Sequence, residues 1–105
     1  WEKTFGGTKD DYAYSVQQTK DGGYIVGGYT YSFGAGGADA YILKLNSDGD
    51  LTWQKTYGGN STDIAYCIQQ TTDEGYIVAG RTSLLGAHDV DAYVLKLDSD
   101  GKLEK

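Results

Sequence analysis

Four aspartates, Asp11, Asp39, Asp63 and Asp91, are the first candidates for chemistry, because they form two pairs at the same spacing. Each stands just before a run rich in Tyr, Val, Ile and Leu, at the mouth of an expected β-strand. Carboxylates repeated along one rim would offer ligands to a cation or acceptors to a polyhydroxyl ligand. The more ordinary use of Asp at such a place is to accept backbone N–H bonds and pin its own loop. His88, the single histidine, lies beside Asp89 and Asp91. A metal centre needs more ligands and a nucleophilic site needs a nucleophile, so a solvated loop histidine is expected. Cys67 is the only cysteine, which excludes an intrachain disulfide; mid-strand, it is expected to be a small buried thiol.

Other motifs weaken on the same test. Asn46-Ser47-Asp48-Gly49-Asp50 and Asp98-Ser99-Asp100-Gly101-Lys102 resemble shortened calcium loops, but the bidentate Glu is missing and Lys102 replaces Asp50. They are expected to be Asx turns. The glycine-rich stretch Ser32 to Gly37 lacks phosphate-loop spacing and no helix follows it. Its counterpart, Leu84 to Asp89, diverges strongly, as a tolerant loop or a recognition surface would. Asn60-Ser61-Thr62 is a glycosylation sequon in the second copy alone. No Ser-His-Asp or Cys-His arrangement recurs. The expectation is a protein that is not an enzyme and has no cofactor and no metal centre.

These residues are positioned by a repeat. WEKTFGGTKDDYAYSVQQTKDGGYIVGGYT starts at Trp1 and WQKTYGGNSTDIAYCIQQTTDEGYIVAGRT at Trp53, and the 52-residue offset continues through ADAYILKLNSDGDL and VDAYVLKLDSDGKL. Well over half of the aligned positions are identical. The organisation is therefore 1–52 and 53–105, each a strand d followed by strands a, b and c. In the first copy strand a is expected at Tyr12 to Thr19, b at Tyr24 to Thr30, c at Asp39 to Leu45, and the following d at Leu51 to Tyr57. Short Gly- and Asp-bearing turns make the unit an antiparallel meander.

Alternation supplies the tertiary argument. In strand c, Ala40, Ile42 and Lys44 point one way and Tyr41, Leu43 and Leu45 the other; strand b sets Tyr24, Val26 and Gly28 against Ile25, Gly27 and Tyr29. With both faces apolar, each must be covered, which suits radially stacked blades better than a flat sandwich. The fold class expected is all-β: two four-stranded β-propeller blades, with the ring closed by oligomerisation or by further repeats. Gln17-Gln18 and Gln69-Gln70 fall in the innermost strand and are expected to hydrogen-bond between blades.

The phase of the repeat predicts an assembly edge. Trp1, Lys3 and Phe5 begin a strand d that has no strand c before it, while Leu95 and Leu97 lie on a strand c followed by only the start of d at Leu103. Since propellers have about 4–8 blades, two blades would be completed by other copies, three chains for six blades or four for eight, or by neighbouring repeats.

The stretch from Gly6 to Gly59 resembles the β-propeller repeats of bacterial and archaeal secreted or cell-surface proteins: YGG, Asp-x-Ala before strand a, the DGGY turn and the IV(A/G)G strand b. Ile25-Val26-Gly27-Gly28 followed by Tyr41 and Trp53 is also similar in order to kelch repeats, although the second copy has Ala79-Gly80. The resemblance implies an extracellular or cell-surface module for adhesion or scaffolding, binding a protein or glycan through rim loops. The alternatives are a subunit of a surface appendage joined through open blade edges, or an excised or designed propeller fragment. A net charge of −6 repels the phosphate backbone, so no nucleic acid is expected. No apolar run reaches the ~20 residues of a membrane span, so no membrane insertion is expected either.

Overall fold

The computed structural model describes residues 1–33, 37–58, 62–83 and 90–104. Seven strands form two antiparallel meanders: β1 (Asp11–Gln18), β2 (Tyr24–Thr30), β3 (Asp39–Leu45) and β4 (Leu51–Tyr57) in one sheet, and β5 (Asp63–Gln70), β6 (Tyr76–Ser83) and β7 (Val90–Leu97) in the other. The expected limits of strands b, c and d coincide with β2, β3 and β4. Strand a begins and ends one residue earlier than expected. Asp11 already pairs with Thr30, and Thr19 belongs to the turn, where its N–H donates to the Gly23 carbonyl at 2.9 Å. Tyr14 and Tyr66 are each squeezed out as the extra residue of a bulge in the innermost strand.

The two sheets pack face to face in the manner the alternation requires. Ile25, Ala40, Ile42 and Tyr57 of the first blade join Ala65, Ile68, Tyr76, Val78, Leu95 and Leu97 of the second in one buried cluster. Polar bonds run alongside it. The Asp63 N–H donates to the Ala38 carbonyl at 2.7 Å, and the Ile68 N–H to Ser15 Oγ at 3.3 Å. The expected glutamine bridge is present: the Gln70 N–H donates to Gln17 Oε1 at 2.7 Å, and the Lys20 N–H to Gln70 Oε1 at 2.9 Å. Gln18 and Gln69 face solvent.

The opposite face of the first blade, Tyr41, Leu43 and Leu45 with Tyr24 and Val26, is met by the N-terminal segment, through Phe5 and Trp1, and by Phe33 at Tyr41. That segment is expected as a strand but pairs with none, because no strand c lies beside it. It nevertheless sits where strand d of a preceding blade belongs. The Trp1 ring packs edge-on against Tyr24 with centroids 5.7 Å apart and an interplanar angle of 70°, while Trp53 meets Tyr76 at 6.2 Å and 69°. Each indole also occupies the place of the missing side chain at the following c–d turn, Gly49 for Trp1 and Gly101 for Trp53. Those glycines hold φ of 83° and 82°, so both the ring and the backbone demand glycine there. Lys3 adds an ion pair with Asp50 at 2.7 Å.

Cys67 departs from its expected burial: the thiol is exposed. The reason is its face. Cys67 pairs with Ala79 on the outer side of the second blade, where no further blade covers it, whereas Ser15 at the matching position of the first blade is partly covered.

Candidate functional site

The rim carboxylates are placed by a glycine turn and a strand-end threonine. Asp11 accepts hydrogen bonds from the Thr30 hydroxyl, from Ser32 Oγ at 3.0 Å and from the Gly7 N–H at 3.1 Å. Burial opposes ionisation of this carboxyl, yet those donors together hold it below the usual carboxylate range. A Cβ on Gly6 would lie 2.3 Å from the Asp11 carboxylate and one on Gly7 2.7 Å from Ser32, which explains the double glycine before Asp11. The second blade repeats the arrangement, with Thr82 donating to Asp63 and Gly58 closing on its carboxylate. Asp11 thus spends its acceptors on tying the Gly7 turn to the end of β2.

Asp39 and Asp63 are both buried at the blade interface, where the Asp63 N–H donates to the carbonyl of Ala38, and both lie near enough to Tyr93 for their charges to act on its hydroxyl. Burial raises the Tyr93 hydroxyl pKa, and the charges of Asp63 and then Asp39 raise it further. Asp91 holds the position of Asp39 in the second blade and is exposed. Tyr41, at the position of Tyr93, is raised by burial and then by Asp11. The structure therefore joins two of the four candidate aspartates around a tyrosine and leaves Asp11 and Asp91 as separated halves of the same constellation. His88 lies outside the described residues, as do the sequon residues Asn60 and Ser61, and among the described residues no group of three His, Cys, Asp or Glu side chains is set to hold a metal.

Both c–d turns are Asx turns. Asn46 Oδ1 accepts the N–H groups of Asp48 at 2.9 Å and Asp50 at 3.0 Å, and Asp98 Oδ1 accepts those of Asp100 and Lys102, each at 2.9 Å. The assembly residues divide in two. Trp1, Lys3 and Phe5 line a groove of about 690 Å³ over the open face of the first blade. Leu95 and Leu97 turn inward to the buried cluster, and Leu97 bridges to the exposed Leu103, so the outer edge of β7 is open only before that point.

A family description matches residues 19–51: a β-propeller domain of unknown function (DUF5122). The blades are β-propeller blades. No curated protein matches the chain.

Two ion pairs that sequence reading passed over fix the a–b turns of these blades. Asp21 accepts from the Thr19 hydroxyl and from the Gly23 N–H at 2.9 Å, and it pairs with the buried Lys44 amine at 3.1 Å. These donors, Thr19 foremost, lower the Asp21 pKa to about 2. Asp73 is lowered in the same way by Thr71, Gly75 and Lys96. The signal was available as Thr-x-Asp in one turn with a Lys on strand c. Because the folded-state pKa lies below the ordinary carboxylate value of roughly 3.9, the contribution to stability is complete above that value and is lost as pH falls through about 2. Urea unfolding midpoints are expected to fall steadily between pH 5 and pH 2. Asp21→Asn should flatten part of that fall, and an unchanged slope in this variant would contradict the assignment.

Proposed function

We propose that this chain is a non-catalytic propeller module that stacks head to tail with copies of itself and displays the resulting rim as a binding surface, outside the cell or at its surface. One observation carries the assembly reading: the two open faces are the two halves of the interface already buried between the blades. Ile68 is 3% exposed against the first blade, but the matching Val16 is 64% exposed; Ile42 is fully buried, but the matching Val94 is 64% exposed. A second copy placed by the same blade-to-blade relation would set Val94 and Ala92 against Val16, Val26 and Leu43. It would also bring Asp91 to Asp11 and Tyr41, as Asp39 meets Asp63 and Tyr93. Strand exchange follows, since Trp1 to Phe5 would lie along the open part of β7, an edge that otherwise invites pairing with any strand.

The absence of chemistry in this reading is supported by Asp11, whose carboxylate is taken up by Gly7, Thr30 and Ser32, and the extracellular setting by the motif resemblance alone. Native mass spectrometry at micromolar concentration tests the assembly. Masses of three or four chains are expected for six- or eight-bladed rings. A continuous series of larger masses would replace rings by a filament, and a stable folded monomer would overturn self-assembly.

A further inference from the structure

The first blade carries a tyrosine cluster that the second does not. Tyr12 and Tyr29 are stacked with centroids 4.7 Å apart, Tyr14 stacks on Tyr29 at 5.7 Å, and Tyr31 stands edge-on to Tyr29 at 5.7 Å. Tyr66, across the blade interface, closes on Tyr14 at 5.4 Å. At the positions of Tyr12, Tyr29 and Tyr31 the second blade has Ile64, Arg81 and Ser83. That blade keeps the same strand register and the same bulge, so the blade does not require the tyrosines. Tyr12, Tyr14, Tyr31 and Tyr66 are all exposed. A contiguous exposed aromatic group with no folding role marks an interaction site.

Stacking of further copies leaves this site open. Tyr12 pairs in register with Tyr29, and Tyr29 with Ala40, so these rings share the face that carries Ala40 and Ile42. That face meets the second blade, which is already in place. A new copy on the opposite face of the first blade would leave Tyr29 and Tyr31 uncovered, while Tyr12 also borders the groove on that face.

The chemistry of the concavity narrows the ligand. It measures about 500 Å³ and is lined by Lys9, Asp10, Tyr12, Tyr29 and Tyr31. A volume of this order falls within the range of small-molecule sites. Lys9 and Asp10 cancel in charge within a chain of net charge −6, which suits a neutral ligand carrying both donors and acceptors. Each tyrosine offers an apolar ring face and a hydroxyl. The Tyr29 hydroxyl, beside Tyr14 and partly desolvated, has its pKa pushed up to about 12, and like any tyrosine it is a neutral donor and acceptor at neutral pH. A pyranose has the matching surface: a flat C–H face for the ring and hydroxyls around its edge.

We infer that this concavity is a subsite for a neutral sugar ring of an oligosaccharide, with Tyr12, Tyr29 and Tyr31 as the platform and Lys9 and Asp10 as hydrogen-bonding partners. This deepens the display reading and rests on it for its setting, but the site lies within one chain and is assayed whether or not copies assemble. Cellohexaose, chitohexaose and maltohexaose are titrated at millimolar concentration into the full chain, with tyrosine ring resonances as the readout. At least one is expected to shift the cluster. The triple variant Tyr12→Ile, Tyr29→Arg, Tyr31→Ser installs residues already used by the second blade and should weaken that binding by about tenfold or more. If the triple variant does not fold, Tyr31→Ser alone must show the loss. No response to any of the three sugars, undiminished affinity in a folded variant, or preference for a charged heparin hexasaccharide would each overturn the assignment.

Discussion

A Val16→Cys variant is expected to oxidise into covalently linked chains, head to tail, through the native Cys67 of a neighbouring copy. The expectation follows from one contact inside the chain. Ser15 of the first blade lies against Ile68 of the second, with the Ile68 N–H 3.3 Å from Ser15 Oγ. Cys67 occupies the position of Ser15 and Val16 that of Ile68. Repeating the blade-to-blade relation therefore brings Cys67 of one copy beside residue 16 of the next, the proximity that a disulfide between them requires. Both positions are exposed, so oxidant reaches them freely. Non-reducing electrophoresis should show the variant as a reducible species of three or four chains, or as a ladder if stacking stays open. The parent chain has only Cys67 and can give nothing larger than a dimer. A variant that stays monomeric, or stops at the parent's dimer, would exclude head-to-tail stacking.

The sequence made the blades legible because the evidence there is local and doubled. Strands β2, β3 and β4 follow from alternation bounded by glycine turns, and β2 and β3 recur 52 residues later as β6 and β7. The two-faced burial of β3 was equally legible, since Ala40 and Ile42 on one side and Tyr41 and Leu43 on the other leave no polar face for water. Two features were not. Whether Trp1 to Phe5 is a strand depends on a partner that sequence periodicity does not supply. Whether Cys67 is buried depends on which face of the last blade is covered, and its neighbours in sequence carry no trace of that.

The candidate site was legible as a set of residue types rather than as an arrangement. Asp11 and Asp63 were found by recurrence, but their hydrogen bonds to Thr30 and Thr82 span the strand pair and become evident only once β1 is in register with β2 and β5 with β6. The meeting of Asp39 with Asp63 at Tyr93 needs the blade interface itself. The tyrosine cluster was missed for a different reason. A search for conserved repetition looks past Tyr12, Tyr29 and Tyr31, because at those positions the copies disagree. The useful signal was a cluster of differences between two copies that are otherwise nearly the same.

That logic of matched positions also yields the second large effect. Ile42→Ala should cost about 2–5 kcal/mol, because Ile42 is fully buried between the blades and truncation leaves a cavity there. Against a total stability of about 5–15 kcal/mol for a domain, this is enough to lower the urea midpoint severely at every protein concentration. Val94→Ala removes a similar set of methyl groups from the equivalent strand position, but from a side chain that is 64% exposed in the single chain. An exposed truncation of this kind changes stability by within about 0.5 kcal/mol, so at low concentration the midpoint should not move. If copies stack through this face, Val94 becomes as buried as Ile42, and the variant should lose stability only at concentrations where the parent is assembled, since binding stabilises by mass action. Urea unfolding of both variants at two concentrations a hundredfold apart separates the cases. A Val94→Ala variant whose midpoint matches the parent's at the higher concentration, while the parent is oligomeric there, would show that the oligomer uses some other surface.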